Sequence, residues 1–429
     1  MIDKLKHAGD VTIREVTIIS SNGMGLDVIP QLVSFEIYES LYDSFMSGKL
    51  VLNDAQALRD FFPLVGNEMV HLAFETPTIG KDFAYEGDFF LYDSGDTSRI
   101  SERSSVYVLN FISKEAVIDR NKRISKTLKG NPTDMITYLL GDNGLQTEKA
   151  VFMEEPRNQF AFCANWWKPT KAIKFLTERC VSAEGSPSFL FFENKRGFIF
   201  TSLESMLKPD VGITAKFTMD NYSRRMGDKS SSHRDTTKDY ESILQIDYHN
   251  GFDYFQRLES GYYGGETITL DLTTQRYTHN AFNRPFENDS HLNGFDPVGK
   301  KPMATTRGFL TFIPKMYNNF DGFGDSTNCQ TAVDRDTILA RLNSQRLTIK
   351  VHGRTDYGVG QKVSVTIPKS GQISVSENNH DKLLSGIYLV TGLCHNVTVK
   401  EHQTILELAK DSNEIDINQS GVENGAKQE

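Results

Sequence analysis

The alternation of apolar and polar side chains is clearest near the C-terminal end of the chain. Leu347, Ile349 and Val351 alternate with Thr348, Lys350 and His352, and Val363, Val365 and Ile367 alternate with Lys362, Ser364 and Thr366. Period two with one apolar face predicts antiparallel strands buried on one side. Gly353 to Gly360 supplies turn chemistry between these runs. After a polar loop from Pro368 to His380 come Ser385-Gly386-Ile387-Tyr388-Leu389-Val390 and then Thr404 to Leu408. Four strands with hairpin-length or slightly longer connections make most of a small antiparallel barrel over 345–410.

The same succession occurs once before. Val65-Gly66 leads into Val70, Leu72 and Phe74 as Val359-Gly360 leads into Val363, Val365 and Ile367, with one residue more in the first copy. Gly87-Asp88-Phe89-Phe90-Leu91 stands where Gly386 to Val390 stands, and Tyr107 to Phe111 closes the unit as Thr404 to Leu408 does. The chain reads as two copies of one barrel. Further strands at Val11 to Ser20, at Val33, Phe35 and Ile37 with alternating polar neighbours, and at Lys49 to Leu52 fill out the first copy. Asn53 to Phe62 reads as one or two helical turns ending before Pro63.

From Asp119 the pattern changes. Thr133 to Leu140 follows Pro132 and stops at Gly141, which predicts a helix, and a second helix is expected over Thr170 to Ala183 with Ile173, Leu176, Cys180 and Val181 on one stripe. Ser188 to Phe192 and Gly197 to Phe200 flank Glu193-Asn194-Lys195-Arg196 as a hairpin with a four-residue connection. Strands are expected at Ser242 to Tyr248, Glu266 to Leu272 and Phe309 to Ile313, and helices at Gly251 to Gly261 and Val333 to Asn343. The rest of Arg276 to Asn328 reads as largely irregular.

The fold class is therefore mixed and β-dominated: two antiparallel β-barrels with an α+β domain between them and inserted segments. The division expected is a first barrel over 1–118, the α+β domain over 119–205, a second barrel from 206–275 and 344–410, an inserted segment over 276–343 packing with the α+β domain, and a polar tail over 411–429.

Composition narrows the classes of function. The chain has 429 residues, 38% of them hydrophobic, with 28 Phe, which argues for folded domains throughout most of its length. Its 47 basic and 56 acidic side chains give a formal charge of −9, and no Lys/Arg block is long enough to grip nucleic acid. The N-terminal residues from Met1 to His7 lack an apolar core of signal-peptide length, and no run approaches the roughly 20 apolar residues of a membrane span, so synthesis in a cytoplasm without membrane insertion is expected.

Candidate chemistry is sparse. Cys163, Cys180, Cys329 and Cys394 form no C-x-x-C pair and read as reduced thiols in or near cores. Asp321 to Asn328 offers oxygen ligands without the EF-hand order or its terminal Glu, so it reads as a glycine-rich loop rather than a calcium site. His71, His352 and His395 fall in or beside strands on faces that alternation makes polar, which fits surface or interface roles better than metal ligation. Trp166, Trp167 and Tyr262 are aromatic platforms that a sugar-binding module or hydrolase would use, and are equally suited to be core anchors. No carboxylate pair, triad, nucleophile elbow or phosphate loop is recognisable, so no catalytic, cofactor-binding or metal-binding residue is assigned.

Three stretches carry a resemblance to a known family: Val33 to Asn53 (VSFEIYESLYDSFMSGKLVLN) followed by Val65-Gly66-Asn67-Glu68; Phe252 to Leu272; and Leu347 to Asp411, with Gly353-Arg354, Val359-Gly360 and Leu406-Glu407-Leu408. In this order they resemble the central baseplate hub protein of T-even-like contractile-tailed phages, whose fold is similar to the N-terminal part of type VI secretion spike proteins. The resemblance runs from about Val11 to Asp411. It implies that the two barrels are tail-tube-like and that the chain works as a non-enzymatic homotrimer in the virion tail baseplate, assembled in the host bacterial cytoplasm. It further implies tail-tube or tube-initiator proteins above it, a spike or tail lysozyme below it, baseplate wedge components beside it, and DNA only in transit. The alternatives at this stage are a β-rich carbohydrate-binding or hydrolytic protein and a hub or spike component of a type VI-like injection system.

Overall fold

The computed structural model describes residues 8–55, 62, 64–77, 83–101, 104–208, 212–219, 240–249, 254–271, 276–282, 291–297, 307–314, 329–369 and 380–416. The expected helical turns after Asn53 and the loop Asp321 to Asn328 lie wholly or mostly outside them.

The first unit consists of β1 (Thr12–Ile19), β2 (Gly25–Asp27), β3 (Leu32–Ser40), β4 (Ser47–Asp54), β5 (Met69–Glu75), β6 (Tyr85–Ser101) and β7 (Ser104–Ser113). Alternation puts Phe35, Ile37, Leu50, Leu52, Val70, Leu72, Phe74, Phe89, Leu91, Leu109 and Phe111 on the inner face, where all are buried. Val33 does not join them. A β-bulge between Leu32 and Ser34 turns it outward and buries Leu32 instead, which corrects the inward position expected from simple alternation.

A middle region follows, built from α1 (Lys114–Asn121), β8 (Ile124–Gly130), α2 (Pro132–Leu140), β9 (Val151–Met153), β10 (Phe160–Trp167), α3 (Pro169–Thr177), β11 (Phe189–Asn194), β12 (Gly197–Ser202) and α4 (Leu203–Leu207). Helix α3 ends six residues earlier than its apolar stripe predicts. The Asn158 side chain accepts from the Val181 amide and donates to the Arg179 carbonyl, so Cys180 and Val181 are buried from non-helical chain after the helix. The β11–β12 hairpin pairs as far as Asn194 with Gly197, which shortens the expected four-residue connection to Lys195-Arg196. Every residue of β11 is buried: Phe189 and Phe191 face the middle region's helices, while Leu190 and Phe192 pack into the second unit's core.

The second unit consists of β13 (Ile213–Thr218), β14 (Ile243–Tyr248), β18 (Gln345–His352), β19 (Lys362–Thr366), β20 (Gly386–Thr398) and β21 (His402–Lys410). Between β14 and β18 lie α5 (Tyr254–Ser260), β15 (Gly265–Asp271), β16 (Arg276–Phe282), β17 (Arg307–Pro314) and α6 (Cys329–Leu342). Strand β15 pairs with β16 and β17 and, among the described residues, with no strand of the second unit. Arg276–Phe282, expected to be irregular, is a strand because it forms a seven-pair antiparallel ladder with β15. The Arg335 guanidinium of α6 donates to the carbonyls of Thr177, Pro187 and Phe189, holding this segment against the middle region.

The fold is β-dominated and largely antiparallel, and the two units have the same strand order. The first runs β3-β4-β7-β6-β5-β1 and the second β14-β18-β21-β20-β19-β13. Registers agree through β3-β4-β7 and the facing parts of β6 and β5, and differ in two places: β1 runs antiparallel to β5 where β13 runs parallel to β19, and the second half of β6 has irregularities between Ser94 and Thr97 and between Arg99 and Ser101 that β20 lacks. Leu72 faces Gly87 as Val365 faces Gly386, and Leu109 faces Leu50 as Leu406 faces Ile349. Two irregularities recur: a bulge after Leu91 matches one after Val390, and the bulge after Leu32 matches one after Ile243. Gly66 and Gly360, which open β5 and β19, both sit at φ 86°, a left-handed conformation that favours glycine. Strand β20 then pairs with β3, so both units belong to one 13-stranded sheet whose path does not close on itself among the described residues.

Candidate functional site

The place where most of the molecule meets is the tip of the β11–β12 hairpin. A carboxylate on β11 and another on β3 are buried there, which is costly unless donors surround them. Glu193 accepts from the Met46 amide at 3.0 Å, the Ser113 hydroxyl at 2.7 Å and the Lys149 ammonium at 2.6 Å. Lys149 also binds Glu115 at 2.8 Å, so one cation bridges α1 and the hairpin. Glu39 accepts the amides of Lys195 at 3.0 Å and Val359 at 3.1 Å. Asn194 donates to the Val359 carbonyl, and the Lys195 ammonium donates to the carbonyls of Phe83 and Thr355.

One two-residue turn and its flanks thereby join the first unit, the middle region and the second unit through groups with little freedom to rearrange. Burial pushes the Glu39 carboxyl up to about 7, with the nearby Glu193 adding to the rise and the two amide donors opposing it. Burial also raises Glu193, against the pull of Lys149. Burial lowers Lys195, while the carboxylates beside Lys149 outweigh its own burial and raise it. A cavity of about 220 Å³ opens beside the tip between Tyr85 to Phe89 and Lys149, Glu193 and Arg196. Lys149 and Glu193 are engaged with one another there and the Lys195 ammonium with two backbone carbonyls, an arrangement suited to holding elements in place rather than to proton transfer.

The seam between β20 and β3 carries a second buried polar pair. His395 and His402 are buried with Nδ1 of one 3.0 Å from Nε2 of the other, edge-on to Phe74 of the first unit, and His395 also meets Tyr85. Burial depresses both imidazoles, His402 to about 3, so the pair is neutral and one ring donates to the other. Gly353 is required beside it, because a Cβ there would overlap the His402 ring.

His395 therefore does not lie on a polar face, as alternation predicts, but inside the seam that the first unit covers. His71 is on β5, paired with Asp88 at 2.7 Å across the strands, and His352 ends β18 edge-on to Tyr240. Trp166 is 70% exposed at φ 57°, an uncommon backbone conformation for a bulky residue, whereas Trp167 packs on Phe162 and Phe175. Tyr262 is buried and offers no open platform. Cys180 is buried, Cys394 half-buried and Cys163 exposed, which departs from its expected place in or near a core. Among the described residues no three His, Cys, Asp or Glu side chains are grouped to hold a metal ion. The buried joint escaped sequence reasoning, although Glu39 occupies an inward position two residues after Ile37 and Glu193 ends an apolar run.

No family model and no curated protein matches the chain. Solved structures do. The tail protein from Neisseria meningitidis MC58 aligns at 12% identity and a TM-score of 0.54, covering 92% of this chain and 96% of that one. The 43 kDa tail protein of prophage MuSo2 from Shewanella oneidensis aligns at 9% identity and 0.54, covering 92% and 98%. An Escherichia coli type VI secretion component aligns at 10% identity over 93% of this chain and 76% of that one, with a TM-score of 0.43 that carries no weight for function. Across nearly its whole length, the chain is built on the fold of phage tail proteins, the class of fold that its sequence resemblance implied.

Proposed function

We propose that the chain is a structural hub at the centre of a tail baseplate, a homotrimer that adapts a sixfold tail tube to a threefold spike. The observation that supports this is the strand order and register that β3-β4-β7-β6-β5 and β14-β18-β21-β20-β19 share. Three chains with two equivalent units each present six like modules to a tube and three like faces to a spike, which one module per chain could not do without leaving half of one interface unmatched. Each unit together with its share of the flanking segments is a tube-like module, and the middle region with α6 braces the pair from one side.

In this reading the protein has no catalytic task. Its neighbours are tail-tube or tube-initiator proteins, a spike or tail lysozyme, and baseplate wedge proteins, and its place is the virion tail after assembly in the host cytoplasm. The channel passes DNA without gripping it. A chain of net charge −9 suits that passage, because a basic wall would hold phosphates by releasing their counterions. Sedimentation of the purified chain, alone and with its spike partner, is expected to give a trimer. Monomer in both samples overturns the proposal, as does a density map of the tail tip with a basic channel wall for the passage argument.

A further inference from the structure

The two units are alike in register but unlike in what covers their outer strands. In the first unit the outer strand β3 is capped: Gly392 to Thr398, the second half of β20, pairs with Ser40 to Ser34. Its inward positions Phe35 and Ile37 are fully buried. In the second unit β14 holds the equivalent place, and among the described residues nothing pairs with its outer edge. Tyr248, the counterpart of Ile37, is 47% exposed. The strand that would cap it also exists. Among the described residues the second half of β6, equivalent to the capping half of β20, pairs with β7 alone, and Tyr92, Asp93, Ser94, Ser98 and Arg99 are exposed.

We infer that residues 97–100 of β6 in one copy pair antiparallel with residues 245–248 of β14 in the next copy, repeating between chains the β20–β3 seam that each chain makes within itself. This rests on the trimeric hub reading for the number of chains, and on the duplicated registers for the strands. It leaves no unlike junction: going round the ring, every outer strand is capped by the second half of a β6-type strand.

The registers fix the pairing. Ser98 faces Val106 as Asn396 faces Gln403, and Asp247 faces Thr348 as Glu36 faces Lys49. Because Asn396 faces Glu36 within the chain, Ser98 faces Asp247 between chains. The chemistry carries over as well: the Asn396 amide donates to Glu36 at 3.3 Å, and a serine hydroxyl can donate to an aspartate in the same position. Thr97 then meets Tyr248, and Arg99 meets Ile246 one residue from Asp247. Exposed edges of this kind are otherwise open templates for indiscriminate association.

A Ser98→Cys, Asp247→Cys variant of the full chain tests the pairing, since directly opposed strand residues lie within disulfide reach. Oxidation is expected to give covalent trimers on a denaturing gel, while either single variant and the off-register pair Ser98→Cys, Gln245→Cys give none. Asn396→Cys with Glu36→Cys calibrates the chemistry inside one chain. Trimers in solution that do not cross-link overturn the strand assignment and leave the hub reading standing; monomers overturn both. Should the cysteine variants not fold, hydrogen exchange of the unmodified chain decides the matter: edge-facing amides within 97–100 and 245–248 are expected to slow at least tenfold on assembly, and unchanged rates in a trimer refute the seam.

Discussion

The first and second units share a strand order and a register but not a core. Where the first places Phe111 opposite Gly48, the second places Leu408 opposite Leu347. A Cβ at Gly48 would overlap the Phe111 ring and the Glu36 carbonyl, so one large and one absent side chain occupy the space that two leucines fill in the other copy. Phe35 and Phe74 correspond likewise to Ile246 and Ile367. What persists between the copies is the alternation, the bulges and the turn glycines, and what varies is how the volume is shared across a pair. Register is a backbone property that any set of complementary volumes can fill.

The comparison can be broken first at its cores. Phe111→Ala is expected to destabilise the first unit by about 4 kcal/mol, read as loss of hydrogen-exchange protection in β4 and β7 while β18 and β21 keep theirs. Equal loss in both would show that the units unfold as one body and are not separate modules.

A second test uses Glu39, the buried carboxylate of β3, against the neutral histidines of the seam. A carboxyl raised from its ordinary 4.5 to about 7 in the folded chain adds stability at low pH that is lost as pH rises from about 4.5 through 7. That is worth about 3 kcal/mol at 1.36 kcal/mol per unit. His402, depressed to about 3, acts oppositely: its contribution is present above 6.5 and is lost as pH falls. The two offset each other between about 4.5 and 6.5. Glu39→Gln is expected to remove the loss on the alkaline side and to expose a steep loss on acidification below pH 6.5, measured by denaturant midpoints across pH. A curve parallel to the unmodified protein's would place the titrating group elsewhere.

Gly48→Ala is expected to cost about 2 kcal/mol by overpacking, and Phe111→Leu in the same chain should recover part of it, measured by the same exchange experiment. Failure of any recovery would assign the strain to the Glu36 carbonyl alone. The smallest effect is expected at Tyr248. Tyr248→Ser should change the stability of the isolated chain by no more than about 0.5 kcal/mol, whereas Ile37→Ser, at the equivalent but covered position, should cost several times that. Similar costs at both positions would mean that β14 is already covered within one chain.

Much of this was legible in the sequence, for identifiable reasons. The copies announce themselves because Val65-Gly66 and Val359-Gly360 open strands of clean period two. Val33 misled because a bulge adds one residue to the count, and only the partner strand reveals it. Arg276–Phe282 escaped because its sequence, RYTHNAF, lacks a continuous apolar face, and its pairing with β15 is what makes it a strand. The joint escaped because its partners are distant: Val359 reaches Glu39 across 320 positions and Glu193 reaches Met46 across 147. Local periodicity has no access to separations of that size. A charged residue at an inward position is the sole trace they leave.

That span of 320 positions also orders events on the ribosome. The last donor to Glu39 is made long after β3 itself, and the strand that caps β3 comes later still. At about 5–20 residues per second, the completed first unit waits roughly 14–57 s with an uncovered rim. Neighbouring polysome chains at the same stage present the same rim, so slow translation or a holding chaperone over that interval would govern how much of the protein reaches its proper pairing.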